Sequence, residues 1–470
     1  MTTAAPAAFR TVNPATGETG TTRACLTGTE LEALLNAVTA SHRTWAATPL
    51  ARRCEVLRRV AGLYRDRRDL LAGLIVTEVG KPVTQALGEV DLCADIYDYY
   101  AEHAPALLAD REIPVLSGGG RALLRRSPVG TLLGVMPWNF PYYQIARFAA
   151  PNLAAGNSLL LKPAPQCPDS AAAVEALFLE AGLPARTYAT AFAGHDQVES
   201  LIAHPGVRGV SFTGSSRGGS AVAEIAGRHL KKVVLELGGS DPFLVLDVGD
   251  LAPVVRAGVE ARLENNGQSC NAAKRFIVLD HLYEEFLTGL TTAMAAVTPG
   301  DPRRDATRLG PLASLAAAHR LEEQIAAAVQ DGATLHLGGP REGGFVPPTV
   351  LTDITPHHRA HHEEFFGPVA LVYRARDEEH ALALANDTPF GLGSYVFTDD
   401  PDQAGRAADR IDAGMVFVNG VGLEGPELPF GGTKDSGFGR ELGPLGIDEF
   451  VNVKVIRTAG APAVPPARAT

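Results

Sequence analysis

Cys270 lies in a segment whose residue types suit a reactive thiol. It follows residues 265–269, a run of small and amide-bearing side chains, and precedes the strand-like run 275–279. Structural cysteines usually have apolar neighbours and are inert, whereas reactive ones lie in polar, partly exposed surroundings. The segment therefore predicts a thiol that a substrate can reach.

A carboxylate, Glu236, stands upstream of this thiol, between Leu235 and Leu237 and before the glycine pair 238–239. Apolar neighbours raise the pKa of a carboxylate, which can then act as a base near neutral pH. A thiol nucleophile combined with a buried base predicts acyl chemistry through a covalent thioester.

Composition limits the class of protein. The 470 residues predict two or three domains, and the apolar content of 46% supports a large core. The net charge of −11 argues against nucleic-acid binding, which needs a basic face. The five cysteines are scattered, odd in number and without a CxxC pair, which indicates a reduced, cytoplasmic protein without disulfides.

The chain ends and hydropathy give three further expectations. The first eight residues have neither a basic nor an apolar region, so no signal peptide is expected. No run approaches the roughly 18 apolar residues of a membrane helix, so no membrane association is expected. The Ala- and Pro-rich tail from Ala459 to Thr470 is predicted to be disordered.

Periodicity predicts two kinds of architecture along the chain. Apolar residues at helical spacing predict helices throughout the first hundred residues. From Gly130 strand-like and helical runs alternate, and a second such series covers 242–418, which is typical of parallel sheets with crossover helices. Residues 113–126 predict a hairpin. Val451 to Ile456 predict an alternating terminal strand that needs a partner, either this hairpin or another subunit.

Several motifs in a shared order resemble the aldehyde dehydrogenase superfamily over nearly the full length. The matching stretches are Met136–Pro141, Leu161–Ala164, Phe212–Ser215, Leu235–Gly239, Gly267–Cys270, Glu363–Pro368 and Pro429–Gly432. The runs 237–243 and 272–276 are most similar to the bacterial succinate-semialdehyde dehydrogenase branch. The resemblance implies NAD(P)-dependent oxidation of an aldehyde to a carboxylic acid, with succinate semialdehyde as the expected substrate.

The resemblance also implies catalytic roles. Cys270 would attack the aldehyde carbon, the side-chain amide of Asn139 would donate to the developing oxyanion, and Glu236 would activate the water that releases the acid. From the residues alone, Glu236 is equally compatible with a paired structural carboxylate, and Asn139 with a turn cap after Pro137.

The cofactor residues follow from the same resemblance. Gly214 and Ser215 join the strand ending at Phe212 to a helix starting near Gly219, where backbone N–H groups and a helix N-terminus suit a pyrophosphate.

Four other positions complete this site by resemblance. Trp138 would line it, Lys162 would bind a ribose, and Glu364, with Phe366 beside it, would hold the nicotinamide ribose hydroxyls. Where the family has an acidic residue that repels a 2′-phosphate, this chain has Pro165. Either NAD or NADP is therefore expected as cofactor, with a lean to NADP, and no metal is expected.

The substrate pocket is expected on the helix after Asn139. Tyr143 and Arg147 are four residues apart and share a face, and in the semialdehyde branch an arginine here would bind the distal carboxylate. The alternative for Arg147 is a surface or inter-domain salt bridge. The loop 422–428, which in the family often supplies a serine or another neutral donor, has Glu424 and Glu427 and no serine.

The expected fold class is α/β, with an aldehyde dehydrogenase-like fold. A Rossmann-type NAD(P)-binding domain is predicted over 1–110 and 130–236, an α/β catalytic domain over 237–440, and a small β oligomerisation arm and tail over 111–129 and 441–470. The terminal strand and the hairpin are predicted to pair across subunits, which implies a homodimer or homotetramer.

Rival interpretations rest on shorter patterns. Residues 214–218 match GxSxG, the nucleophile elbow of a serine hydrolase, for which His281 or His380 could serve as base. The histidines in 357–362 suggest a metal site, but they lack HExxH and are predicted to lie in an exposed loop. Another small aliphatic or aromatic aldehyde is the alternative substrate.

Overall fold

The computed structural model of the protein describes residues 8–117 and 119–460. Its α-helices are α1 (Gly28–Ala46), α2 (Leu50–Asp66), α3 (Arg68–Val79), α4 (Val83–Leu107), α5 (Tyr143–Ala155), α6 (Pro168–Glu180), α7 (Val198–Ala203), α8 (Ser216–Arg228), α9 (Leu251–Leu263), α10 (Tyr283–Ala295), α11 (Leu315–Gln330), α12 (Arg359–His362), α13 (Glu378–Asn386), α14 (Pro401–Arg410) and α15 (Gly443–Asp448). Its strands are β1 (Ala8–Val12), β2 (Thr19–Ala24), β3 (Arg111–Ile113), β4 (Arg121–Pro128), β5 (Thr131–Val135), β6 (Ser158–Lys162), β7 (Tyr188–Thr190), β8 (Val207–Thr213), β9 (Lys232–Glu236), β10 (Asp241–Val245), β11 (Ala273–Leu279), β12 (Thr334–Leu337), β13 (Thr349–Thr352), β14 (Val369–Ala375), β15 (Phe390–Gly391), β16 (Tyr395–Phe397), β17 (Phe417–Val418), β18 (Thr433–Lys434), β19 (Gly437–Phe438) and β20 (Val451–Thr458).

The first sheet has the strand order β19-β9-β8-β5-β6-β7. All its pairs are parallel except β19 with β9. The strands β5 and β6 are buried along their whole length, as expected for a parallel sheet covered by helices on both faces. The carboxyl ends of such strands are where ligands bind in open α/β sheets, and Lys162 and Glu236 terminate β6 and β9 there.

The second sheet has the order β12-β13-β14-β11-β10-β16-β17 and is parallel apart from β12. It carries the rest of the site, because Cys270 precedes β11 and Glu364 precedes β14. The two parallel sheets confirm the predicted α/β fold class.

The third sheet, β20-β4-β3, is antiparallel. The terminal strand pairs with β4 of its own chain, from Val451 opposite Pro128 to Thr458 opposite Arg121. The prediction that these two segments pair across subunits is therefore wrong. The sequence pattern identified both strands but could not say that the chain returns to its own β4.

The predicted domain boundaries remain a prediction, and one strand crosses them. The strand β19 comes from the segment assigned to the catalytic domain, yet it pairs with β9 of the first sheet. The N-terminal stretch and nearly all of the tail predicted to be disordered lie outside the described residues. Within the described ranges, no helix is both long and apolar enough to cross a bilayer.

Candidate active site

The loop that carries Asn139 is positioned by a buried carboxylate from α4. Glu89 accepts hydrogen bonds from the backbone N–H groups of Tyr142 and Tyr143, at 2.9 and 3.1 Å, at the start of α5. The first N–H groups of a helix have no partner within it, so this carboxylate satisfies them and fixes the start of α5. Glu89 is in turn paired with the buried Lys81, whose ammonium lies 3.6 Å from the Phe140 ring centroid.

The loop before Cys270 is held by the amide side chains that made its sequence unusual. Asn265 and Asn266 adopt left-handed backbone conformations, with φ of 50° and 58°. Asn266 donates to the carbonyls of Gly80 and Pro311 at 3.0 and 2.9 Å. These bonds hold a backbone conformation that most residues disfavour, so the amides have a structural function next to the thiol.

Asn139 is joined directly to this loop. Its Nδ2 donates to the Gln268 carbonyl at 3.0 Å, and its Oδ1 accepts from Gln144 Nε2 at 2.8 Å. An amide NH₂ has two N–H groups, so the orientation is fixed while one donor remains for a ligand. This is the geometry required of a preset oxyanion donor.

The Cys270 thiol is half-buried, and its pKa is raised to about 12. Desolvation is the main cause, and the positive charges of Arg147 and Lys274 oppose it. Lys274 is fully buried and donates to the carbonyls of Ser269 and Cys270, each at 2.8 Å. The thiol is therefore protonated at neutral pH in this state, and it needs a base before it can act as a nucleophile.

Glu236 is 1% exposed, and neither of its carboxylate oxygens has a hydrogen-bond partner among the described residues. Burial and the like charge of Glu441 raise its pKa well above the usual value, while Arg147 lowers it. A Cβ atom on Gly431 would lie 2.8 Å from Glu236 Oε1, so only glycine leaves room for this carboxylate. An unpartnered buried carboxylate with a raised pKa is characteristic of functional acids and bases.

Arg147 forms a buried ion pair with a residue far along the chain. Its Nε lies 2.8 Å from Glu441 Oε2, at ion-pair distance but without the alignment of a hydrogen bond. The guanidinium also stacks over the rings of Tyr143 and Phe430, at 4.7 and 4.2 Å. Its Nη2 has no hydrogen-bond partner in residues 8–117 and 119–460. The ion pair is buried, so the interpretation as a surface salt bridge does not hold.

Two cavities meet at Cys270 and Gln144. The first, called here the Arg147 cavity, has a volume of about 300 Å³, and its lining includes Phe140, Tyr143, Arg147 and Phe430. The second, called the Trp138 cavity, has a volume of about 260 Å³. Its further lining includes Trp138, Asn139, Thr213, Gly214, Ser215, Gly238, Glu364 and Phe366. The thiol is thus accessible from two separate spaces.

The residues of the Trp138 cavity fit the nicotinamide end of a dinucleotide. Trp138 and Phe366 pack edge to face, with centroids 5.8 Å apart. Glu364 accepts from the Gly239 N–H at 3.2 Å and pairs with Lys274 at 3.2 Å. A Cβ atom on Gly238 would lie 2.6 Å from Glu364 Oε2, so glycine is required for this approach. The carboxylate retains acceptor capacity for hydroxyl groups.

The other predicted cofactor residues lie at the carboxyl edge of the first sheet. Ser215 caps α8, where its Oγ accepts from the Gly218 N–H at 3.3 Å. Lys162 is buried and donates to the Pro163 carbonyl at 3.2 Å, and burial lowers its pKa. Pro165 is exposed beside it, and its carbonyl accepts from the Arg10 N–H at 2.8 Å. Lys162 and Pro165 do not line the Trp138 cavity among the described residues.

Three contributors were not identified from the sequence: Gln144, Lys274 and Glu441. The first two lie in or beside matched motifs, so their proximity to Asn139 and Cys270 offered a signal. Glu441 offered none, because its pairing with Arg147 links residues far apart in the chain.

The rival interpretations do not match the geometry. The Ser215 backbone is ordinary extended chain, with φ −74° and ψ 153°, and its hydroxyl is used as a helix cap, unlike the strained turn of a nucleophile elbow. His281 instead contacts Asp247, and His380 accepts from the Arg376 N–H.

The histidine-rich segment forms the short helix α12, in which His361 is fully buried, so the prediction of an exposed loop is wrong for this residue. Burial lowers the pKa of His361, and its ring lies 3.2 Å from Asp387. Within the part of the chain that the structure describes, no group of three or more His, Cys, Asp or Glu residues is arranged to hold a metal ion.

Known proteins share this architecture over nearly the whole chain. Residues 1–456 match the model of the aldehyde dehydrogenase family. A Deinococcus radiodurans protein named succinate-semialdehyde dehydrogenase, with NADP(+) in its name, is 51% identical over 96% of this chain and 94% of its own length. The Escherichia coli K12 succinate semialdehyde dehydrogenase Sad, with NAD(P)+ in its name, is 42% identical over 95% of this chain and 96% of its own.

A solved structure agrees with these relatives. Succinic semialdehyde dehydrogenase from Streptococcus pyogenes, in complex with NADP+, has a TM-score of 0.94 and 41% identity, and the match covers 96% of this chain and 100% of that chain. Both the fold and the family resemblance expected from the motifs are therefore confirmed.

Proposed function

This chain belongs to the aldehyde dehydrogenase family, and we propose on that premise that it oxidises succinate semialdehyde to succinate with NAD(P). The observation that carries the proposal is Cys270 at the junction of two cavities, one lined by Arg147 and the other by Glu364 and Trp138. The names of the relatives from Deinococcus radiodurans and Escherichia coli support the substrate and the cofactor.

The first half of the reaction needs a thiolate and an oxyanion donor. A nicotinamide held by Trp138, Glu364 and Phe366 would supply the acceptor for the hydride that leaves the aldehyde carbon. Cys270 Sγ releases its proton to solvent and attacks that carbon from the junction, and the second N–H of the Asn139 side chain donates to the oxygen that becomes negative. Arg147 and Lys274 stabilise the thiolate electrostatically, since both lower the Cys270 pKa. The product on the protein is a thioester on Cys270.

The second half needs a base that removes a proton from water. Glu236 is suited to this, because it is buried, unpartnered and has a raised pKa. Arg147 and Glu441 have opposite effects on this base, because Glu441 raises the pKa of Glu236 and Arg147 lowers it. Water adds to the thioester carbon, the C–S bond breaks, and the carboxylic acid leaves.

Arg147 provides the test of the substrate. The Arg147→Met variant is expected to lower kcat/KM for succinate semialdehyde roughly thirtyfold or more, because a desolvated carboxylate would lose its charged partner. Butanal, which has no carboxylate, should lose only the part of the rate that Arg147 contributes by stabilising the Cys270 thiolate, so the ratio of the two kcat/KM values should fall. Steady-state kinetics on both aldehydes measures the difference.

The control must distinguish the loss of substrate binding from the effect of leaving the buried Glu441 without its ion-pair partner. In the double variant Arg147→Met with Glu441→Gln both members of the buried pair are neutral, so folding is not penalised by an unpaired charge. Wild-type enzyme that handles butanal as well as succinate semialdehyde would contradict the proposed substrate while leaving the family assignment intact.

Pro165 provides the test of the cofactor. The Pro165→Glu variant is expected to raise the KM for NADP at least about tenfold more than the KM for NAD, because the new carboxylate would repel a 2′-phosphate held near Lys162. The side chain is exposed, and the substitution keeps the carbonyl that accepts from Arg10, so the backbone can stay in place. Pro165→Gln is the uncharged control, and equal changes for the two nucleotides would refute this reading of the site.

We also propose that the enzyme is a homodimer or homotetramer in the cytoplasm, with the domain boundaries predicted above. The edge strand β20 leaves Val453 and Val455 exposed by 46% and 62%, which supports association through this sheet. All five cysteines are free thiols, which supports a reducing compartment. Sedimentation velocity should give at least twice the chain mass of 49.4 kDa, and a monomer at micromolar concentration would contradict it.

A further inference from the structure

The outer wall of the Arg147 cavity carries two carboxylates that the proposed reaction does not use. Glu424, from the loop after β17, and Glu264, from the turn after α9, both line the cavity that contains Cys270 and Arg147. The same two residues also line an adjoining outer cleft of about 580 Å³, so they lie where the cavity opens. A substrate with its aldehyde at Cys270 would direct its far end toward this wall.

The charges around the cavity are not balanced. Arg147 is paired with Glu441, and Lys81 is paired with Glu89. Neither Glu264 nor Glu424 forms an ion pair with any residue in 8–117 or 119–460. Within the described residues, this wall therefore carries negative charge without a protein counter-ion. A positively charged ligand group would balance it.

Glu424 is held in place and does not simply extend into solvent. Asn271 Nδ2 donates to Glu424 Oε1 at 2.7 Å, and Asn271 is the neighbour of the nucleophile. Asn271 is itself fixed, because its Oδ1 accepts from Ser269 Oγ at 2.7 Å and its carbonyl accepts from the Tyr395 hydroxyl at 3.0 Å. The position of the carboxylate is thus tied to the position of the thiol.

The same cavity also contains a positively charged group with an unpartnered nitrogen. Arg147 is 2% exposed, and its Nη2 has no hydrogen-bond partner among the described residues. A buried guanidinium nitrogen without an acceptor indicates a negatively charged or carbonyl ligand group. The cavity therefore offers one site for an anion and one for a cation.

We propose that Glu424, together with Glu264, binds an ammonium group of the substrate, so that the enzyme oxidises a short aldehyde bearing both a carboxylate and an amino group at its far end. This rests on the proposed function, because Arg147 again binds the carboxylate. The matching compound is 2-amino-4-oxobutanoate, which is succinate semialdehyde with one added amino group.

The reaction with this aldehyde involves the same bond changes as the reaction in the proposed function. The aldehyde carbon loses a hydride to NAD(P)+ and gains an oxygen from water, with protons released to solvent, and the product is 2-aminobutanedioate. The amino group takes no part in the bond changes, so only binding distinguishes the two substrates.

The electrostatics of the wall agree with this assignment. Although the Glu264 side chain is open to the cavity, desolvation by the surrounding protein and the nearby charge of Glu424 raise its pKa to about 7. Lys81 opposes this, while Glu260 and Glu89 add to it. A carboxylate whose pKa is raised by burial and by a like charge is stabilised in the charged form by a bound cation.

The experiment uses four aldehydes that separate the two charges: butanal, succinate semialdehyde, 4-(trimethylammonio)butanal and 2-amino-4-oxobutanoate. The kcat/KM of each is measured with saturating NADP at a pH above 7, where Glu264 is ionised. The variant is Glu424→Gln, which keeps the size and loses the charge. The matched control is Glu427→Gln, on the same loop but exposed and not part of the cavity lining described.

In the wild type and in the Glu427 control, the amino group is expected to raise kcat/KM at least about tenfold relative to succinate semialdehyde. Glu424→Gln is expected to remove this gain, measured as the ratio of kcat/KM for the two aldehydes within the same variant. An amino group that gives no gain, or a gain that survives Glu424→Gln, would overturn the proposal. The proposed function is tested separately, by the kcat/KM for succinate semialdehyde relative to butanal. If these two values were equal, the proposed function would fail, and this comparison does not involve the ammonium group.

Discussion

Replacement of Cys270 with alanine is expected to lower aldehyde oxidation on the order of 10⁵–10⁶-fold and to leave nucleotide binding intact. The thiol is at the junction of the two cavities, whereas Trp138, Ser215 and Glu364 line the Trp138 cavity independently of it. Loss of the nucleophile removes the covalent step, since no second thiol is adjacent: residues 271 and 272 are Asn and Ala.

Two measurements check this expectation. Initial rates with succinate semialdehyde give the activity, and quenching of Trp138 fluorescence on titration with NADP gives the nucleotide affinity. Cys25→Ala is the control, because Cys25 is also a partly exposed free thiol but lies outside the two cavities described. Retention of more than a few per cent of the wild-type rate by Cys270→Ala would remove Cys270 from the role of nucleophile.

The parts of the site that the sequence predicted are local ones. Strand–helix alternation predicted parallel sheets, and the carboxyl ends of β6 and β9 then place Lys162 and Glu236 at one edge. The motif around Cys270 was visible because its amides stand in an unusual run. The amides are there because Asn265 and Asn266 form a left-handed turn. Hydrophobic periodicity does not reveal such a turn, so the sequence did not predict it.

The parts that escaped prediction depend on contacts between distant segments. Glu89 on α4 fixes the start of α5, and Glu441 pairs with Arg147, yet each of these glutamates lies in an unremarkable sequence context. Buried polar partners are specified by three-dimensional packing, so a residue-by-residue pattern does not reveal them. The same limit explains the error about β20, whose alternation requires a partner strand but does not identify it.

Asn139 and Glu236 are expected to act in different halves of the reaction, and their positions support this division. Asn139 is fixed between Gln268 and Gln144 with one free donor, which suits the oxygen of the attacked aldehyde. Glu236 has no hydrogen bond to any residue that the structure describes, and its pKa is raised, which suits a base that receives a proton from water. Asn139→Ala should therefore lower the rate at which reduced cofactor forms in the first turnover by about 10²–10³-fold.

Glu236→Gln is expected to keep a rapid burst of about one reduced cofactor per active site and to lower steady turnover about 10²–10⁴-fold, the usual contribution of a general base. The burst survives because the thioester forms without this carboxylate, and turnover stops because water is no longer activated. Stopped-flow absorbance of the reduced nicotinamide measures both phases.

The pH dependence provides the control for this assignment. Glu236 must be ionised to accept a proton, and because burial raises its pKa, the active form increases with pH over a range above that of an ordinary carboxyl group. Wild-type steady turnover should therefore rise with pH in this range, and the residual turnover of Glu236→Gln should lose that component of the rise. If Glu236→Gln instead suppressed the burst as Asn139→Ala does, Glu236 would act before hydride transfer. The base for hydrolysis would then be another group, and Glu441, whose charge raises the Glu236 pKa, would be the first candidate to test.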